Sequence, residues 1–308
     1  MKKVVITGAG GFIGRNLTRR LLQENIQVYG IDIEVAQERI LVESGVTPLC
    51  VDIGDKKELS NILKVVQPDV FYHLAWAGVS TDVKNEMGMQ VANIPLAMTV
   101  LDACAETGCK HIIIPGSASE YAYCGQIIDG QNAPAPGDAY AASKAAAQVL
   151  CQWYARQYRL NLNWLLIGSI YGPGRDDSNI LTYTIKSLLR GEEPKYSKLE
   201  QMWDYIYIDD LIEALYLLGL HGKPDGVYPV GSGQARPLAE YIRQIQAEIA
   251  PGAPLGIGAL PYKFGSKPDN SVLDITSLRD DTGFAPRVSF EEGIGRTIGY
   301  FREMERVQ

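Results

Sequence analysis

Apolar runs and turn-forming residues alternate along the first half of the chain in a strand–helix rhythm. Residues 3–7 (KVVIT) form a short apolar run that stops at a glycine-rich turn, and residues 12–24 then carry apolar positions at helical spacing. Residues 26–32, 46–52, 68–75, 110–116 and 161–170 are further runs of strand length. Between them, 58–66, 95–107 and 139–158 read as helices, the second closed by Gly108, a residue suited to a left-handed cap. This alternation predicts an α/β fold: a doubly wound parallel sheet with helices on both faces and right-handed crossovers.

The first turn holds Gly8, Gly11 and Gly14 within TGAGGFIG (7–14). Glycine lets a backbone turn tightly and approach a pyrophosphate closely. The helix opened by Phe12 and Ile13 points its free N–H groups at such an anion. Asp32 ends the second strand, where a carboxylate can accept hydrogen bonds from both ribose hydroxyls of an adenosine. It would repel a 2′-phosphate, and the first cation after it is Arg39, so NAD is favoured over NADP. Asp52 and Ile53 fall where the adenine edge would lie. Leu74, Ala75 and Trp76 follow the fourth strand along the expected cofactor path. Trp76 is large enough to wall a substrate pocket instead, or to fill core. The fold expected is therefore Rossmann-type.

Tyr140 and Lys144 lie one helical turn apart and so share a face. Tyrosine, with an ordinary pKa of about 10, is a poor base at neutral pH, but a nearby ammonium stabilises its phenolate. Oxidised nicotinamide would add a second positive charge. Tyr140 can then take or give the proton of a reacting hydroxyl. Lys144 can also bind the nicotinamide ribose, and Ser117, after the fifth strand, can hydrogen-bond the same substrate oxygen. The reaction class is hydride transfer at a carbon that bears a hydroxyl or becomes a ketone.

Beyond about Gly172 the alternation becomes irregular and loops rich in glycine and proline appear. Helical segments recur near 180–190, 209–220, 237–249 and 290–304. Residues 1–172 are read as the cofactor-binding domain with its Tyr/Lys helix. Residues 173–308 are read mainly as a smaller α/β substrate lobe, with 205–235 returning to the main sheet through YPVGSG (228–233).

Composition removes several function classes. The formal net charge of −7 argues against a nucleic-acid partner. The five cysteines are odd in number and form no CxxC pair, which predicts reduced thiols, and three scattered histidines predict no metal site. The N-terminal apolar stretch is too short for a signal peptide, and no run approaches the roughly 18 apolar residues of a membrane span. A cytoplasmic protein with no membrane partner is expected.

The motifs TGAGGFIG, HLA (73–75), GSASEY (116–121), YAASK (140–144), YGPG (171–174), YIYIDDL (205–211) and YPVGSG occur in one order along nearly the whole chain. In that order they resemble an extended short-chain dehydrogenase/reductase of the nucleotide-sugar epimerase/dehydratase group. The resemblance implies Ser117, Tyr140 and Lys144 as a catalytic triad, with Asn93 positioning the lysine through water or backbone. It implies a homodimer in which helices near 95–107 and 139–158 build a four-helix bundle. It implies a nucleotide-linked sugar as substrate, with Ser80, Ser119, Glu120, Arg175, Asn179 and Lys267 as candidate contacts.

Three departures narrow the reaction. Ala118 and Ser119 stand where 4,6-dehydratases of the group carry an Asp-Glu pair, which argues against dehydration. Trp203 stands where epimerases of the group usually carry a diphosphate-gripping arginine; Arg175 or Lys267 could supply that charge. Leu165, Leu166 and Ser169 stand where Arg and Asn are common. GSASEY and HLAWAG are similar to segments of 4-keto-6-deoxy-sugar-nucleotide reductases. The leading expectation is a 4-ketoreductase of such a substrate. The alternatives are a sugar-nucleotide 4-epimerase with tightly held NAD, a catalytically silent NAD(H)-sensing scaffold, and a reductase of a non-sugar carbonyl.

Overall fold

The computed structural model describes residues 1–32, 45–80, 82–122, 124–125, 127–175, 179–262 and 271–307. Seven parallel strands form the main sheet: β1 (Lys3–Thr7), β2 (Gln27–Ile31), β3 (Thr47–Leu49), β4 (Val70–His73), β5 (His111–Pro115), β6 (Asn161–Ile167) and β11 (Val227–Val230). Their spatial order is β11-β6-β5-β4-β1-β2-β3, so the order reverses on either side of β1. In such sheets the crevice beyond the strands' C-terminal ends at the reversal is where ligands bind.

Both faces of the strands are apolar because both are covered. Val4 and Ile6 of β1, Ile113 of β5 and Leu165 of β6 point into one core with Leu17 and Leu21 of α1 (Phe12–Gln23). The intervening Val5, Ile112, Ile114, Trp164 and Leu166 point into the other. That second core is closed by α2 (Lys56–Val66), α3 (Met87–Thr107) and α4 (Ala139–Tyr158). The two-residue alternation of a strand thus divides one apolar run between two cores.

After β6 the chain builds smaller units. β7 (Ser169–Tyr171) pairs with β10 (Tyr205–Tyr207), β9 (Met202–Trp203) with β12 (Arg236–Pro237), and β8 (Lys195–Tyr196) with β13 (Gly256–Ile257). Around them lie α5 (Ile180–Leu189), α6 (Ile208–His221), α7 (Leu238–Ile249), α8 (Thr276–Thr282) and α9 (Phe290–Val307).

Several expected boundaries shift. The helix expected from residue 95 begins at Met87, and Pro95 lies inside it. A mid-helix proline costs about 3 kcal/mol, but Ala97, Val100 and Leu101 are fully buried on the sheet and carry the helix through it. The strand expected over 161–170 breaks at Gly168, and β7 leaves the main sheet to pair with β10. Of the segment 205–235, only Val227–Val230 joins the main sheet, alongside β6. The helix at Thr276–Thr282 and the two-residue strands had no periodic signal long enough to read.

Candidate active site

The turn after β1 is built around glycine. Gly8 takes φ +68°, and a Cβ there would lie 3.0 Å from the Ala75 nitrogen, because the loops after β1 and β4 touch. A Cβ on Gly14 would come within 2.2 Å of the Gly8 oxygen, so no larger residue fits without moving backbone. Helix α1 starts at this turn with no side-chain cap on Gly11, which leaves first-turn N–H groups available to an anion. Asp32 closes the cradle, its Oδ2 accepting from the Gly10 N–H at 3.0 Å. Bare first-turn N–H groups, a turn without room for side chains and a carboxylate at its edge fit a dinucleotide.

A second cluster lies at the end of β5. Ser117 caps a short 3₁₀ turn over Ala118–Tyr121, and Asp138 caps α4 by accepting from the Ala141 N–H at 2.9 Å. These two caps set the chain directions that bring Ser117, Tyr140 and Lys144 together. The Ser117 side chain lies near enough to the Tyr140 phenol to favour its ionised form, and its Oγ lies 2.7 Å from the Ser119 Oγ. Lys144 is buried, and its Nζ donates to the Pro115 carbonyl at 2.5 Å. The same Nζ stands 3.8 Å from the centre of the Trp76 ring, whose edge meets the Tyr140 ring at 6.5 Å and 86°.

Burial dominates the electrostatics. It raises the Tyr140 phenol well above its ordinary range, with the charge of Glu120 adding to it; the Ser117 side chain and the charge of Arg175 oppose it. Burial lowers the Lys144 ammonium, and Glu120 opposes that fall. Burial takes His73 down to about 3, with Lys144 contributing, so this histidine is neutral. Thr7 Oγ1 accepts from the Ala75 N–H and lies 2.8 Å from His73 Nδ1, while His73 Nε2 is buried without a partner.

The remaining expected site residues divide. Leu74, Ala75 and Trp76 line the loop that touches the glycine turn. Asn93 meets that loop: its Oδ1 accepts from the Ala77 N–H at 2.7 Å and its Nδ2 donates to the Met89 carbonyl. Asp52 is exposed and accepts from the Gly54 N–H, whereas Ile53 is buried in core. Glu120 is wholly buried beneath Ser117 and does not face the open cleft. Arg175 donates to the Ile170 carbonyl at 2.8 Å and lies 5.9 Å from the Phe12 ring, near the glycine turn. Asn179 is the cap of α5, accepting from the Leu181 and Thr182 N–H groups. Ser80 is exposed in a loop that Lys84 and Asn85 fasten to the start of α4. Lys267 and Arg39 lie outside the described residues.

Leu165 and Leu166 are fully buried, one in each core, and Trp203 donates its indole N–H to Ser169 at 2.8 Å. The lysine–tryptophan contact and the buried state of Glu120 were not readable from the sequence, because no spacing rule connects residues on separate loops. Among the described residues no group of three or more His, Cys, Asp or Glu is placed to hold a metal, and no helix is long and apolar enough to cross a membrane.

The sequence profile of the NAD dependent epimerase/dehydratase family matches residues 4–231. A probable UDP-glucuronate 4-epimerase of Rhizobium meliloti is 26% identical over 99% of this chain and 98% of its own length. The Thermus thermophilus UDP-glucose 4-epimerase, solved as a complex with NAD, superposes with a TM-score of 0.83 at 28% identity, covering 97% of this chain and 99% of its own. A Thermotoga maritima UDP-glucose 4-epimerase, solved with UDP-glucose, has the same fold, with a TM-score of 0.86 at 23% identity over 98% of this chain and 99% of its own.

Proposed function

The chain belongs to the NAD-dependent epimerase/dehydratase family of nucleotide-sugar enzymes, and within that family we propose that it is a 4-epimerase of a nucleotide-linked sugar that retains its NAD. The observation that carries this reading is the convergence of Ser117, Tyr140 and Lys144 beside the glycine turn, with Ala118 and Ser119 where an eliminating enzyme needs an acid–base pair. The curated and structural relatives named as 4-epimerases span almost the whole chain and support the epimerase over the 4-ketoreductase first expected.

In this reading Gly8, Gly11 and Gly14 admit the pyrophosphate and Asp32 holds the adenosine ribose. Bound NAD supplies the hydride acceptor and donor. Tyr140 is the acid–base group at the sugar C4 oxygen. It takes that proton as C4 is oxidised and returns one as C4 is reduced. Ser117 donates to the same oxygen and orients it. Lys144 offsets the negative charge that Tyr140 acquires. Ser119 and Arg175 are the proposed substrate contacts, and residues 173–308 are proposed to hold most of the nucleotide.

A homodimer through α3 and α4 belongs to the same proposal. Val91, Val149, Leu150 and Trp153 are 47%, 60%, 43% and 58% exposed on these two helices, an apolar face of the kind that a second copy covers.

The replacement of an arginine by Trp203 favours a second reading, a 4-ketoreductase that exchanges free NAD(P)H. One experiment separates the two. Protein denatured after purification is assayed for released dinucleotide, and native protein is incubated with UDP-glucose and UDP-glucuronate, with products followed by NMR. Stoichiometric NAD together with a C4 epimer supports the epimerase. An empty protein that oxidises added NADH only with a 4-keto sugar nucleotide overturns it.

A further inference from the structure

Glu120 is a carboxylate with no exposed surface, directly beneath the proton-transfer cluster and unused by the chemistry above. Its Oε1 accepts from the Ser117 N–H at 2.6 Å, and its Oε2 accepts from the Trp164 indole N–H at 3.3 Å. Both oxygens therefore face N–H donors, which favour the ionised form; these donors and the charge of Lys144 oppose the burial that pushes the carboxyl up to about 8. Gly116 has no room for a side chain: a Cβ there would lie 2.5 Å from Glu120 Oε1 and 2.1 Å from Trp164 Nε1. On the other side of the same strand end, Lys144 donates to the Pro115 carbonyl. The two consecutive peptides that flank Gly116 are thus held by Lys144 at the Pro115 carbonyl and by Glu120 at the Ser117 N–H. Among the described residues no carboxylate hydrogen-bonds or ion-pairs with Lys144, whose ammonium meets the Pro115 carbonyl and the Trp76 ring.

We propose that Glu120 is a positioning residue of the proton-transfer site, whose carboxylate holds Lys144 as an ammonium and fixes the Ser117 hydroxyl against Tyr140. The two buried groups favour each other's charged form across the two consecutive peptides that flank Gly116, whereas a lone buried ammonium tends to neutralise. The groups that share this field are Tyr140, Lys144 and Cys151 from α4, Asp138 at its cap, His73 from β4, and Arg175 from the loop after β7. Glu120 raises the proton affinity of Tyr140 and of Lys144 alike. Removing its charge therefore lowers both, and the two effects move the pH dependence the same way.

This inference rests on the acid–base role given to Tyr140, and the test separates the two. The pH profile of kcat/KM is measured for the intact enzyme, Glu120→Gln and Tyr140→Phe. Glu120→Gln keeps an oxygen for the Ser117 N–H and removes the charge, together with the Trp164 hydrogen bond, since its amide nitrogen cannot accept from the indole. Its profile is expected to slide to lower pH by at least about half a unit, with a fall in kcat and little change in KM. A profile that stays in place with Tyr140→Phe inactive overturns the role of Glu120 and leaves that of Tyr140. An active Tyr140→Phe overturns the acid–base reading itself. Should Glu120→Gln not fold, Trp164→Phe, which removes one donor to the carboxylate while leaving its charge, is the second variant. With one donor gone the carboxylate gains protons more readily, so the acid side of the profile is expected to move toward lower pH, as in Glu120→Gln, while the alkaline side stays in place. An unchanged acid side overturns the proposal.

Discussion

The ammonium of Lys144 sits 3.8 Å above the ring of Trp76, although the two residues belong to different elements and are far apart in the chain. A cation over an indole gains about 0.5–2 kcal/mol, more when water is excluded, and here the lysine is buried. The ring is itself oriented, its Nε1 donating to the Gln90 Oε1 at 3.0 Å, while Asn93 pins the following Ala77.

Replacing Trp76 with Leu removes the attraction to the ammonium. The kcat/KM profile is expected to shift to lower pH, as with Glu120→Gln, and Trp76→Phe is expected to restore part of the shift. Steady-state rates between pH 6 and pH 9 read both effects.

Tyr140→Phe is expected to lower turnover by about 10²–10⁴-fold, the usual worth of a positioned acid–base group. The dinucleotide released when the purified variant is denatured should still be stoichiometric. Ser117→Ala should be milder, because the hydroxyl orients the substrate oxygen without carrying its proton.

Gly14→Ala places a methyl group 2.2 Å from a backbone oxygen. The turn must open, and NAD affinity is expected to fall by at least about tenfold, or 1.4 kcal/mol. The amount of dinucleotide released on denaturing the purified variant and parent measures it, and a variant that retains as much as the parent would remove the turn from the cofactor site.

His73 titrates near 3 when folded because it is buried, against an ordinary value near 6.5 when unfolded. Between those values the unfolded chain binds the extra proton. Stability therefore falls as pH drops through that window, by at most about 1.4 kcal/mol per pH unit. Urea unfolding at pH 7, 6 and 5 should show a shallower loss for His73→Asn, whose amide can still meet the Thr7 hydroxyl.

Trp153→Glu on the exposed apolar face of α4 is expected to leave the fold intact and produce monomers in sedimentation velocity. A parent protein that is itself monomeric would refute the proposed dimer.

The chain by itself determined the strand–helix alternation, the glycine turn and the proton-transfer trio. All are local patterns: apolar periodicity separates strand from helix, and Tyr140 and Lys144 share a face because a helix turns once in 3.6 residues. The start of α3 at Met87 escaped this reading because Pro95 resembles a helix start, and only packing of Ala97 and Val100 on the sheet keeps it inside. The departure of β7 from the main sheet was equally hidden, since its partner β10 arrives from a distant segment. Tertiary structure alone decided that Glu120 lies beneath Ser117, that Trp76 covers Lys144 and that Asn179 is spent on a helix cap. Burial and charge are properties of what surrounds a residue, and the neighbours of these three come from loops that only the folded sheet brings together.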